Sequence, residues 1–152
     1  MKSTMESGMM TVKSKRNMSM RSNCLEHTHY GVRMKINNKM YNTETSWMEM
    51  STDYVEKGDK VDFKKIERVY QKRNGEHFLF GICHTLDKTS GEILNTYEWI
   101  TPMTDIDVMN WEKKKDERLF KVLEEKVKKE TGKDVTYYRD SWGMLKYKEK
   151  EV

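Results

Sequence analysis

The chain has 152 residues, of which 36% are apolar and an equal 36% charged, with a formal net charge of +4. Its longest apolar run, Phe78-Leu79-Phe80-Gly81-Ile82-Cys83, is far short of the ~18 residues of a membrane span. Four Trp, eight Tyr and four Phe supply enough buriable area to exclude disorder throughout.

The excess charge is confined to residues 1–22, where Lys2, Lys13, Lys15, Arg16 and Arg21 face Glu6 alone; the remainder carries 24 basic and 24 acidic residues. A neutral body argues against a protein that coats nucleic acid. Two cysteines, Cys24 and Cys83, are too few for a disulfide framework, and the start of the chain has no apolar signal region. The expected location is therefore the cytoplasm, a host's if the protein is viral. The expected organisation is a flexible basic tail over 1–26 followed by a single α+β domain over 27–152.

Order is expected to begin near His29. Tyr30, Val32, Met34 and Ile36 alternate with Arg33 and Lys35, which predicts a half-buried strand over 30–36. Asn37-Asn38 accepts the positive φ of a tight hairpin turn, and a return strand follows over 39–50. Residues 51–61, with Tyr54-Val55 and a Gly58-Asp59 turn signal, read as a connection. Asn74-Gly75 is the strongest hairpin signal, joining strands over 66–72 and 77–86. With a two-residue turn, Val69 would face Phe80 and Tyr70 would face Leu79. A helix over 62–72 competes, because Phe63, Ile66, Val69 and Tyr70 also fit helical spacing. Asp87–Gly91 predicts another turn, then a strand over 92–100 ended by Pro102.

The long helix is expected over about 104–131. Thr104 and Asp107 resemble a capping box, with Asn110 as the alternative N-cap. Trp111, Leu119, Val122, Leu123 and Val127 would form its apolar face, against i,i+4 pairs Glu117–Lys121, Glu124–Lys128 and Glu125–Lys129. Gly132 stops it, and short strands over 135–139 and 144–148 close the chain. The fold class is thus α+β, an antiparallel meander with one long helix.

Candidate chemistry is sparse. His27 and His29 would share one face of a strand, as ligands to one ion must, with Cys24 nearby. No zinc spacing is matched, so no metal and no cofactor are expected. Asp105 and Asp107 with Glu112-Lys113-Lys114 resemble a nuclease core only superficially, since that arrangement needs a strand where this sequence is helical. No Gly-x-Ser-x-Gly elbow, phosphate loop or dinucleotide glycine pattern appears. Cys83 and His84 are neighbours on a strand and point to opposite faces, so they cannot form a dyad.

Tyr70, Gly75 and Phe78, followed by Trp99-Ile100-Thr101-Pro102, resemble a small bacterial domain with a Y-x4-G-x2-aromatic opening and a W-x-R-P close. Thr101 stands where that pattern has arginine, and His84 lies two residues nearer Phe78 than the pattern's histidine. The resemblance covers about a fifth of the chain and implies a compact β-barrel-like sheet. In composition the chain is also similar to bacteriophage accessory proteins, many of which inhibit a host enzyme or defence complex.

Together these features favour a non-enzymatic binding protein of phage type, one that modulates a host protein or defence ribonucleoprotein. The expected contact residues are Trp47, Met48, Met50, Lys72, Arg73, Asn74, Tyr137, Tyr138, Arg139 and Trp142. The alternative is a nucleic-acid-binding regulator using Lys13, Lys15, Arg16 and Arg21 of the tail and the 72–75 hairpin tip. No membrane partner is expected, and oligomeric state stays open.

Overall fold

The structure is a computed structural model that describes residues 25–150. Cys24 and the tail cations Lys13, Lys15, Arg16 and Arg21 lie outside the described residues. The chain divides between Val108 and Met109 into two compact units.

The first unit holds β1 (Glu26–His27), β2 (Val32–Ile36), β3 (Lys39–Asn42), a 3-10 turn (Thr43–Thr45), β4 (Trp47–Lys57), β5 (Val61–Gln71), β6 (His77–Asp87) and β7 (Ile93–Met103). They form two antiparallel sheets, β1-β2-β3 and β4-β5-β6-β7, the second a meander in chain order. Alternation in β2 buries Val32, Met34 and Ile36 and exposes Arg33 and Lys35. Asn37 and Asn38 take φ of 49° and 64°, the left-handed turn that asparagine tolerates. The core cluster joins Val32, Met34, Ile36 and Tyr41 of the small sheet to Tyr70, Phe78, Phe80 and Ile100 of the large one. Phe78 is its centre, stacked on Tyr70 at 5.2 Å and edge-on to Tyr41 at 5.6 Å. The other face of the meander buries Val69, Leu79 and Thr101.

Several expectations change. The chain from 39 to 50 is not one strand: Asn42 caps the 3-10 turn through Glu44 N–H, and a new strand runs from Trp47 to Lys57. Residues 51–57 are therefore strand rather than connection. They are an edge whose side chains are polar or exposed on both faces, so the hydrophobic alternation that marks β2 is missing. The strand expected over 66–72 forms and starts earlier, at Val61, so the competing helix over 62–72 does not.

The Asn74-Gly75 hairpin forms, but in a register one residue off: Val69 faces Leu79 and Tyr70 faces Phe78. Lys72 N–H bonds Glu76 O at 2.7 Å and Gly75 N–H bonds Lys72 O at 2.9 Å, with Gly75 at φ 92°. The loop is thus the three residues Arg73–Gly75, a tight turn closed by a left-handed glycine bulge. Finally, Pro102 sits inside β7, which continues to Met103; an edge strand admits proline.

The first turn of α1 (Asp105–Thr131) precedes the division. The capping box is present: Asp107 N–H donates to Thr104 Oγ1 at 3.1 Å, and Thr104 N–H donates to Asp107 Oδ2 at 2.8 Å. Asn110 is inside the helix.

The second unit contains the rest of α1 with β8 (Val135–Arg139) and β9 (Leu145–Glu149), an antiparallel pair. Gly132, at φ 74°, ends the helix. The predicted apolar face is only partly right: Trp111 is buried and Leu123 and Val127 are half-buried, but Leu119 is exposed and Val122 is 62% exposed. Phe120 joins Leu123 and Val127 on the protected stripe instead. Two members of the predicted i,i+4 pairs turn elsewhere. Glu124 accepts Tyr137 N–H at 2.9 Å, and Lys128 pairs with Asp134 at 3.1 Å.

Candidate partner-binding surface

The β8–β9 hairpin is built by its loop. Asp140 N–H donates to Met144 O at 3.0 Å and Gly143 N–H to Asp140 O at 2.9 Å, with Gly143 at φ 79°. This is the geometry of the 72–76 turn again. The Asp140 carboxylate accepts Trp142 N–H and Met144 N–H, both at 2.9 Å, and pairs with Lys146 at 3.0 Å. The Met144 amide bond, then Lys146 and the Trp142 amide, hold the Asp140 carboxyl below the ordinary carboxylate range. So tied, the loop holds Trp142 at its apex, 88% exposed.

The flanks add further surface. Met144, Leu145 and Tyr147 are exposed, Tyr147 by 60%, and Tyr138 is 38% exposed. Tyr147 leans on half-buried Tyr137 at 5.3 Å. On the opposite face Lys148 Nζ stands 5.9 Å over the Tyr138 ring. Arg139 does not contribute a free charge. It forks onto Asp116 through Nε (3.2 Å) and Nη2 (3.0 Å), which raises its pKa. Beside the hairpin lies a groove of about 420 Å³ lined by Lys121, Glu124, Lys128, Lys129, Asp134 and Lys150.

The other expected contact residues lie in the first unit. Trp47 and Met48 begin β4, exposed, while Met50 is half-buried opposite Val69. Trp47 stands across from Gln71, next to the hairpin tip. At that tip the cations are not equivalent. Lys72 is taken by Glu76 at 3.0 Å and lies 4.4 Å over the Tyr41 ring, whereas Arg73 is exposed at the apex. Asn74 is a structural clamp: it donates to Glu76 Oε1 and accepts Glu76 N–H, both at 3.0 Å. Lys39, Asn74 and Lys72 hold Glu76 down to about 2. A groove of about 520 Å³ near this tip is lined by Lys39, Tyr41, Glu76, His77, Met103 and Asp105. Its polar groups already have partners: Glu76 pairs with Lys39 at 2.7 Å, and His77 Nε2 lies 2.9 Å from Glu49 Oε1.

The histidines are engaged in separate places. His27 Nε2 lies 2.7 Å from Glu98 Oε1, His29 stacks edge-on against Tyr30, and His84 Nδ1 lies 2.9 Å from Thr96 Oγ1. Among the described residues no three His, Cys, Asp or Glu side chains gather as an ion cage. Nor is any described helix long and apolar enough to cross a membrane.

Leu145, Tyr147 and Lys148 were missing from the expected contact residues. The alternation over 144–148 marked a strand, but nothing local states that the strand lies at an open edge.

The fold and this surface define an α+β protein with an exposed aromatic hairpin. Compared with protein families, curated proteins and solved structures, the chain matches none.

Proposed function

We propose that this is a non-enzymatic binding protein that engages a partner protein, or a ribonucleoprotein through its protein component, with the β8–β9 hairpin. One observation carries this reading: Tyr138, Trp142, Met144, Leu145 and Tyr147, five large apolar side chains within ten residues, are all exposed on one short hairpin. Solvent-facing apolar groups cost free energy unless something covers them, and a Trp anchor flanked by Tyr and Met is the composition of an interface centre. The loop that presents Trp142 is held by four hydrogen bonds on Asp140, so the anchor needs little ordering on association.

Immobilised full chain should retain a protein partner from a nuclease-treated native lysate. Trp142→Ala combined with Tyr147→Ala should release it while leaving the thermal transition in place. Loss of every partner on nuclease treatment would instead favour nucleic-acid binding, for which Lys148 beside Tyr138 and the exposed Trp142 are the supporting groups.

A further inference from the structure

We infer that β9 is an acceptor edge, taking an extended acidic segment of the partner as a third strand. This rests on the protein-binding reading above and specifies its mode.

The direction of the backbone groups comes first. Asp140 N–H bonds Met144 O and Lys150 N–H bonds Asp134 O, both at 3.0 Å. In the antiparallel ladder these are the closely paired positions, so 138/146 and 136/148 are too. The odd residues of β9, Leu145, Tyr147 and Glu149, therefore aim their N–H and C=O groups away from β8. Among the described residues no strand pairs with that side, and all five β9 residues are exposed. The corresponding outward amide on β8, at Tyr137, is already occupied by Glu124.

Other edges are guarded differently. On the large sheet, β4 is bulged between Met48 and Met50, and β7 is irregular where it meets Thr85/Leu86 and carries Pro102. Bulges and proline disrupt pairing with an incoming strand. On the small sheet, β1 has two residues and β3 four. β9 pairs regularly along its length and has neither bulge nor proline.

Charge selects the occupant. Lys146, Lys148 and Lys150 project from one face at every second position. Lys146 reaches Asp140, whereas Lys148 and Lys150 meet no carboxylate among the described residues. A second copy fits poorly. Residues opposite each other in a two-fold antiparallel pair share parity, so full overlap of two β9 strands sets lysine against lysine. A segment with Asp or Glu at alternate positions meets the row with opposite charge throughout. Its intervening side chains fall on the Leu145 and Tyr147 face. Backbone bonds then supply attachment and the alternate side chains supply selection.

The test uses the full chain and a labelled heptapeptide alternating glutamate and valine, with a lysine–valine peptide as control. Saturable binding of the acidic peptide alone is expected, with backbone amides of Leu145, Tyr147 and Glu149 gaining protection from hydrogen exchange. Tyr147→Pro removes an outward N–H and leaves the β8 ladder bonds intact, so it should abolish binding. If that variant does not fold, Lys148→Glu with Lys150→Glu serves: it should weaken the acidic peptide about tenfold and admit the lysine peptide. Equal binding of both peptides, or no binding at about 1 mM peptide, overturns strand addition. So does preferential binding of a single-stranded oligonucleotide that competes at Lys148. A nuclease-resistant partner still released by Trp142→Ala would then leave the protein-binding reading standing without this mode.

Discussion

At Gly81 the indole of its own register partner, Trp99, folds over and fills the space a Cβ would occupy. Gly81→Ala must push that ring aside, and we expect a loss of about 1–3 kcal/mol in denaturant unfolding. Thr101 presents the opposite case. Its side chain is fully buried, and its hydroxyl finds no protein partner among the described residues. Thr101→Val keeps the volume and removes an unsatisfied polar atom, so it should stabilise the fold by about 1 kcal/mol. Glu76 gives a pH signature. Its carboxyl falls from the ordinary 4.5 to about 2, so the ionised form is favoured in the folded chain. The contribution is complete above pH 4.5 and is lost as pH falls toward about 2. Glu76→Gln should flatten acid unfolding across that window, read by the melting temperature at each pH.

At the scale of elements, how far the sequence could be read depended on whether the signal was local. The Asn37-Asn38 turn and the Thr104/Asp107 box each close within four residues, so residue identity alone predicted them. Thr104→Ala should cost about 1 kcal/mol, measurable as a lower melting temperature, because it removes the oxygen that accepts the Asp107 N–H at the helix start. The Asn74-Gly75 signal found the hairpin yet misplaced its register, since Gly75 serves as a bulge beyond the turn rather than as half of it. One residue of loop length moved Phe78 opposite Tyr70 and made the stack at the centre of the core. β4 was illegible past Met50 for a different reason. An edge strand with little to bury carries no hydrophobic alternation, even though its partner β5 follows directly in the chain. Likewise Val122 read as apolar face because helical spacing cannot say which side of a helix is covered.

For the whole molecule, turn signals, one clear strand alternation and helical spacing together pointed to the fold class. They could not show that a chain of this length divides between Val108 and Met109. Nor could they assign the candidate surface fully. Trp142, Tyr137 and Tyr138 stood out as aromatics among cations, but the open side of β9 follows from its pairing, which no local pattern encodes. The core of the first unit rests on Phe78, which is wholly buried. Phe78→Ala should cost about 3–5 kcal/mol in chemical denaturation, enough to threaten a domain of ordinary stability.

The position of Cys83 on the meander turns the molecule into its own clock. The thiol is buried in β6 and opposite Lys65, and burial pushes its pKa up. A thiol reagent reaches it only as its cover moves, so in a Cys24→Ser background the labelling rate reports how often this face of the meander opens. Fast labelling in native buffer would mean that the face of the meander opposite the Tyr70–Phe78 stack is loosely covered.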